Sequence, residues 1–329
     1  ILKLEVSQIS QEVRINPTTS FVEERSFTYP KPGVSATWRP EEGRQVRLSL
    51  QREVDQLDFS NFVSVLEVNN DFVTSGNTNL EPAKTWALSG QYETSFWDDG
   101  VITFRASHDW VDDVEDLVCV VPVTVGPPDP TPCIQRLDSF DGPGNIGSGT
   151  QWSAGVNVSM PLDRVGISGA RLTFDYRNGQ SSVTDPVTGE TRRFTNAFGW
   201  RGFSLDYRHD LPARQFSYGF ELSKDSSGTA YRLRETFRRE RAGVSLNVFA
   251  ETTRFFGLNI RAGYNDLFGT EFRSKRVVYD APRSSGVPIL FQNGYGRNGP
   301  AVYLRVAGSF CSARLRRSAL SARPAYTAA

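Results

Sequence analysis

Pro300-Ala301-Val302-Tyr303-Leu304-Arg305-Val306-Ala307-Gly308-Ser309-Phe310 decides how this chain is read. Val302, Leu304, Val306 and Phe310 fall on one parity, and Tyr303, Arg305, Ala307 and Ser309 on the other. Successive residues of a strand point to opposite faces, so this is a strand with one apolar and one polar face, ending on an aromatic residue. One such strand fits any half-buried sheet. The pattern recurs about a dozen times along the chain, and the repetition sets the class.

Working backwards, Leu258, Ile260, Ala262 and Tyr264 oppose Asn259, Arg261 and Asn265. Similar alternation runs through 244–250, 216–222, 203–207, 172–176, 152–160, 102–110, 86–96 and 46–50, with weaker strands near 27–38 and 2–14. The polar faces carry full charges, among them Arg47, Glu93, Arg105, Asp175, Glu221 and Arg261. So many charges must face water. A soluble antiparallel sheet can place them outside if a second layer covers its apolar face. The connections argue otherwise. They are short at 39–44, 98–100, 162–169, 211–214 and 254–257, and long near 57–83, 112–148, 185–196, 226–241 and 268–298. A moderately long first loop near 15–26 keeps that alternation unbroken. Short turns at one end and long loops at the other is the outer-membrane barrel arrangement. Trp86, Phe96, Trp97, Trp110, Trp152, Tyr176, Tyr207, Phe216, Tyr264 and Phe310 lie near strand ends, where half-wet rings suit a membrane interface. The expected fold is therefore all-β: an antiparallel transmembrane β-barrel of the outer-membrane type, about twelve strands present as a partial barrel.

Composition sets bounds on function. Among 329 residues, Lys+Arg and Asp+Glu both number 37, so the formal net charge is zero. This gives no basic face for nucleic acid. Mean hydropathy is negative, as it is for barrels, because half of each strand faces water. No run approaches the ~18 apolar residues of a membrane-crossing helix. Cys119 and Cys133 bracket a Pro-rich stretch, and they read either as two unrelated thiols or as a small disulfide loop in an exported chain. With two histidines and no Cys-x-x-Cys, neither a metal nor any other cofactor is expected. Asp112, Asp113, Glu115 and Asp116 match no calcium loop. No Gly-x-Ser-x-Gly and no phosphate loop occurs, so the chain is not read as an enzyme. It begins Ile-Leu-Lys-Leu-Glu inside a strand pattern, without initiator Met or signal core, and a fragment is expected.

Specific segments resemble a family. Thr74-Ser75-Gly76-Asn77-Thr78-Asn79-Leu80-Glu81-Pro82-Ala83-Lys84-Thr85-Trp86 resembles the Gly-Asn-Pro-x-Leu-x-Pro-Glu segment of TonB-dependent outer-membrane receptors, on Asn77, Asn79, Leu80 and Pro82. Thr78 stands where Pro is common, and Ala83 where Glu is common. The stretches 29–40 and 52–59 and Asn265-Asp266-Leu267-Phe268-Gly269 also resemble the family's barrel. The resemblance covers nearly all of 1–310. It implies a larger barrel plugged by an N-terminal domain, of which 1–310 is the C-terminal part. The plug and the TonB box are absent here. Outer-membrane lipid, the missing plug and barrel strands, and the barrel-assembly machinery are the implied partners, with the TonB complex reached only through the absent region. Tyr303 and Phe310 mark the terminal strand, Phe310 being the aromatic end that the assembly machinery reads. The basic tail 311–329 reads as a disordered extension.

The implied activity is uptake of a large scarce nutrient of siderophore, cobalamin or carbohydrate type. Arg273, Lys275, Arg276, Arg283 and Arg297 make the last long loop basic, which suits either an anionic ligand or a plain solvated loop. A complete passive pore of about twelve strands and a soluble carbohydrate-binding β-sandwich remain alternatives. In a barrel, Leu304, Val306 and Phe310 point outward and Tyr303 and Arg305 toward the lumen.

Overall fold

A computed structural model describes all residues except 1, 17–18, 59–64, 68–71, 75–76, 78, 122–129, 137, 196–200, 225–226 and 309–329, and the side chains of 2–25 and 65–74 are outside the description as well. Phe310 and the tail 311–329 therefore lie outside the described residues.

The chain opens with β1 (Leu2–Asn16) and β2 (Thr19–Trp38), and a tight turn leads to β3 (Arg44–Val54). Short strands β4 (Val65–Glu67) and β5 (Phe72–Thr74) pair within the next connection. β6 (Lys84–Phe96) and β7 (Gly100–Asp112) form a hairpin, followed by β8 (Glu115–Val120) and β9 (Phe140–Asn145), which pair together. β10 (Gly149–Pro161) and β11 (Ala170–Thr184) form the next hairpin, and β12 (Thr191–Arg192) folds back on the end of β11. Then come β13 (Gly202–Leu211), β14 (Phe216–Lys224), β15 (Gly228–Tyr231) and β16 (Glu235–Ala242). β17 (Ser245–Thr252), β18 (Asn259–Asn265), β19 (Glu271–Tyr279), β20 (Pro288–Arg297) and β21 (Ala301–Ala307) complete the described elements. There is no α-helix among them, so no helix is long and apolar enough to cross a membrane.

The twelve strands read from alternation are the twelve along the path β1-β2-β3-β6-β7-β10-β11-β13-β14-β17-β18-β21, every neighbour antiparallel. We call this sheet the wall. It is open: among the described residues β1 and β21 share no ladder. The all-β, antiparallel expectation holds, and closure into a barrel is not seen.

Three connections differ from expectation. The first is no loop, because Arg14 pairs Ser20 and Asn16 pairs Thr19, so β1 and β2 run on as one long hairpin. The long connections 226–241 and 268–298 are likewise strands: β15-β16-β19-β20 form a sheet of their own.

The wall is tilted. A hydrogen-bonded row starts at Trp38, beside a short turn, and passes Val46, Tyr92, Phe104, Val156, Tyr176 and Phe203 to Lys224, at the loop end of β14. It climbs from the level of Phe216 to that of Lys224, about eight residues, over about seven strand spacings. At ~3.3 Å per residue and ~4.8 Å per strand the strands lean roughly 40° from the axis of such an array.

The two faces differ in chemistry. Val34, Trp38, Leu48, Leu88, Phe104 and Trp152 stand exposed on one parity, continued by Val302 at 76% and Leu304 at 69% exposure. Across the last wall ladder, Leu304 pairs Ala262 and Val306 pairs Ile260, whereas Tyr303 accepts a 3.2 Å hydrogen bond from Arg261 on the polar side. Tyr303 and Arg305 thus share the polar face, and Leu304 and Val306 the apolar one. Trp86 is opposite Trp110 near the loop end, and Phe96 packs on Trp97 at the short-turn end. The ten residues from Trp86 to Phe96 span ~33 Å along the strand, or ~25 Å along the axis at that tilt.

Candidate functional site

The polar face holds the concave features. Small residues in lateral rows open them. Ser49, Ser89, Ser107 and Ser153 follow one another across four strands, with hydroxyls 2.7 Å apart in the first pair and 2.8 Å apart in the last. Gly155 lies between Arg105 and Arg177 and floors a cavity of about 390 Å³. Another row runs Arg208, Gly219, Phe249, Gly263, Tyr303. Its glycines are required by neighbours: a Cβ on Gly263 would come within 2.5 Å of the Tyr303 ring. Phe249 therefore lies over bare backbone with Arg261 3.9 Å from its ring centre and Arg208 5.7 Å away. Glu251 ties both arginines, at 3.4 Å and 3.7 Å. A cavity of about 530 Å³ opens beside this brace.

A cavity of about 710 Å³, larger than the two above, lies at the loop end between β11, β13, β14, β17 and β18. The row Asp175, Ser204, Ser223, Ser245 crosses it, and its short side chains leave the space. Glu221 receives a 3.3 Å hydrogen bond from Asn247, and Asp175 a 3.4 Å one from Asn157. Alternation places Asp175, Arg177, Ser204, Glu221, Ser223, Ser245 and Asn247 on polar faces, and no local pattern brings them to one cavity. Asp266 carried a signal, as it sits within the Asn265–Gly269 segment.

Above the wall, distant loops meet in a buried ionic cluster. Asp185, 2% exposed, takes hydrogen bonds from Arg283 at 2.8 Å and 3.0 Å, from Arg192 at 2.8 Å, and from the N–H groups of Val187 and Thr188. Arg192 also pairs Asp116 at 2.9 Å, and its guanidinium lies 4.5 Å from the Tyr231 ring centre. Arg283 donates to the Arg232 carbonyl. Burial alone would raise the Asp185 carboxyl, but the Arg283 guanidinium and the backbone N–H donors outweigh it and hold it below the usual carboxylate range. Four connections are cross-braced at one point.

The basic residues of the last loop do not gather into one cationic surface. Arg276 pairs Glu235 at 2.7 Å, Arg273 pairs Glu271 at 3.0 Å, and Arg283 is committed to the buried cluster. Arg297 donates to the carbonyls of Gly269 and Phe268. Lys275 is exposed on β19, opposite Arg238.

The family-like segment has a clear local role. The Asn77 side chain accepts from the Asn79 N–H and donates to the Pro143 carbonyl. Asn145 accepts from the Glu81 N–H and returns a bond to the Glu81 carbonyl. Leu80, fully buried, packs with Phe27 and Leu57. Pro82, which has no N–H to offer, follows and leads the chain into β6. Thr78 lies outside the described residues. In Asn265–Gly269, Asp266 adopts φ +54 and its carboxylate takes the N–H and hydroxyl of Thr270. Cys119 and Cys133 form a disulfide that closes the Pro-rich loop. Of the acidic residues nearby, Asp113 pairs Lys84 at 2.7 Å and Asp116 pairs Arg192, while one buried carboxylate oxygen of Glu115 has no hydrogen-bond partner.

Neither a protein-family model nor a curated protein matches this chain. The chemistry available is that of a polar, charge-lined concave face, an apolar exposed face, and a cross-braced loop assembly at one end.

Proposed function

We propose that this chain forms part of the wall of an outer-membrane β-barrel of the TonB-dependent receptor type, serving active uptake of a large scarce nutrient. The observation that carries the reading is the exposed apolar face. Residues as large as Trp38, Leu48, Phe104, Val302 and Leu304 stand uncovered on one side of the sheet, while charges and cavities occupy the other. A water-soluble sheet would have to cover such a face with a second layer, and a lipid-facing wall needs none. Three further features support it. The strands lean at roughly the 35–45° of membrane barrels. Aromatic residues lie ~25 Å apart along the axis, close to the height of an outer-membrane apolar band. A disulfide in the long loop fits an oxidising compartment.

The open edges at β1 and β21 fit a wall that other strands complete. The test is membrane fractionation of the expressed chain. Recovery in the outer-membrane fraction, released only by detergent, is the expected result. Full solubility without detergent would overturn both the receptor and any passive-pore reading. Nutrient uptake itself is tested in cells by deleting the gene and following growth when iron, cobalamin or oligosaccharide is scarce; unaltered growth in all three would remove the receptor assignment and leave the wall.

A further inference from the structure

We propose that the 710 Å³ cavity at the loop end of the polar face binds a zwitterionic, amino-acid-like ligand, a reading that rests on the polar face being the water-filled side of the wall. Its volume falls within the ~300–1,000 Å³ of small-molecule sites.

Three carboxylates line it: Asp175, Glu221 and Asp266. Asp175 and Glu221 receive only weak amide hydrogen bonds, from Asn157 and Asn247, and none of the three makes an ion pair among the described residues. Asp266 is 7% exposed, and its Oδ1 has no hydrogen-bond partner, although Thr270 fully engages Oδ2. A buried carboxylate oxygen without a donor is costly unless something supplies one. Asn247 fixes the arrangement, accepting from the Asp266 N–H at 2.9 Å while donating to Glu221. The wall therefore holds an orphan acceptor in place, with the Arg241 charge near it, and asks for an N–H donor to Oδ1.

Three cations line it as well: Arg177 and Lys224 on the loop side, and Arg241, whose charge acts on Asp266. Along β11, Arg177 stands two residues beyond Asp175 on the same face, ~7 Å away at ~3.3 Å per residue. Ser204, Ser223 and Ser245 fill the middle with hydroxyls that both donate and accept. A cationic N–H group held at Asp175 and Glu221, donating to Asp266 Oδ1, and an anion held at Arg177 and Lys224 must be carried by one molecule of that span. A basic amino acid or the ends of a short peptide have it; a simple anion or a simple cation satisfies half.

The test is equilibrium dialysis of the full chain in detergent micelles with labelled L-arginine, and with agmatine, which lacks the carboxylate. Saturable arginine binding is expected, with agmatine at least tenfold weaker. Glu221→Gln and Arg177→Gln should each weaken arginine at least tenfold. Asp266→Asn should do likewise where circular dichroism shows the strands intact. Arg47→Gln, on the polar face away from the cavity, should change nothing. Absence of saturable arginine binding to a folded chain overturns the proposal, as does agmatine binding as tightly as arginine. The two readings fail separately. Lost binding with detergent-dependent solubility removes the ligand alone, and full solubility without detergent removes the wall while arginine binding still decides the ligand.

Discussion

In the wall, ladders of up to thirteen paired residues keep neighbouring strands in register, and the wall side chains that join a described hydrophobic cluster, Phe27, Val111 and Val183, do so at the loop end. In the loop assembly the ladders are short, but both of the largest fully buried side chains, Leu80 and Asp185, are there. The two hydrophobic clusters, one around Leu80 and one joining Ala83, Val111, Val114 and Val183, also sit at the loop end. The wall is held by backbone hydrogen bonds and by whatever solvent its apolar face meets. The loop assembly is held by buried side chains. A protein whose described core gathers at one end of its main sheet leaves that sheet's two faces, one apolar and one polar, for other contacts.

The difference can be broken most sharply at Arg283. Arg283→Met leaves Asp185 buried beside one fewer cation, and removing one partner of a buried pair costs about 3–5 kcal/mol. Hydrogen exchange should accelerate in β12, β15 and the 185–190 turn and stay unchanged in β10 and β13. Equal acceleration in the wall would show that the two regions are one cooperative unit. Leu80→Ala should cost about 3 kcal/mol, the ordinary range for a buried leucine, and lower the melting temperature through the β2–β6 loop end. An unchanged melting temperature would mean that the Phe27–Leu57–Leu80 cluster does not anchor the entry to β6.

Leu304→Arg sharpens the wall half of the comparison. On a lipid-facing site it should cost about 2–4 kcal/mol in vesicles. In water the same change at a residue 69% exposed should be close to neutral. Refolding yield in vesicles, compared with that of Arg305→Leu on the opposite parity, separates the cases.

The smallest effect is from pH. Asp185 has a lowered carboxyl in the folded chain, so its contribution is full above its ordinary value of 3.8 and fades as pH falls below that toward the folded value. Loop protection should therefore decline in strongly acidic buffer and stay flat from neutral pH down to about 5. Loss of loop protection already at pH 6 would point to a different group.

Much of the wall was legible from single residues. Arg305 between Leu304 and Val306 fixes a face without any partner in view, because strand geometry alternates by chemistry-blind necessity. The segment 74–86 was legible only in part: the Asn77 side chain on the Asn79 N–H is local, whereas Asn77 to Pro143 and Leu80 to Phe27 and Leu57 join distant segments. The loop strands were not. β16 and β19 carry Arg238, Arg239, Arg273 and Lys275, and charge on both faces reads as an irregular solvated loop. The fate of the arginines was equally hidden, since Arg283 meets Asp185 across 98 residues and no local pattern encodes that distance.

By itself, then, the sequence determined the twelve strands, their polar and apolar faces, and which ends carry long connections. These follow from a period of two and from turn chemistry, both local. Only the tertiary structure decided that Cys119 joins Cys133, that Arg192 and Arg283 converge on Asp185, and that Asp266 is left with an unpaired oxygen beside a cavity. Such facts depend on which distant segments share a point in space, and on the burial that only their meeting creates.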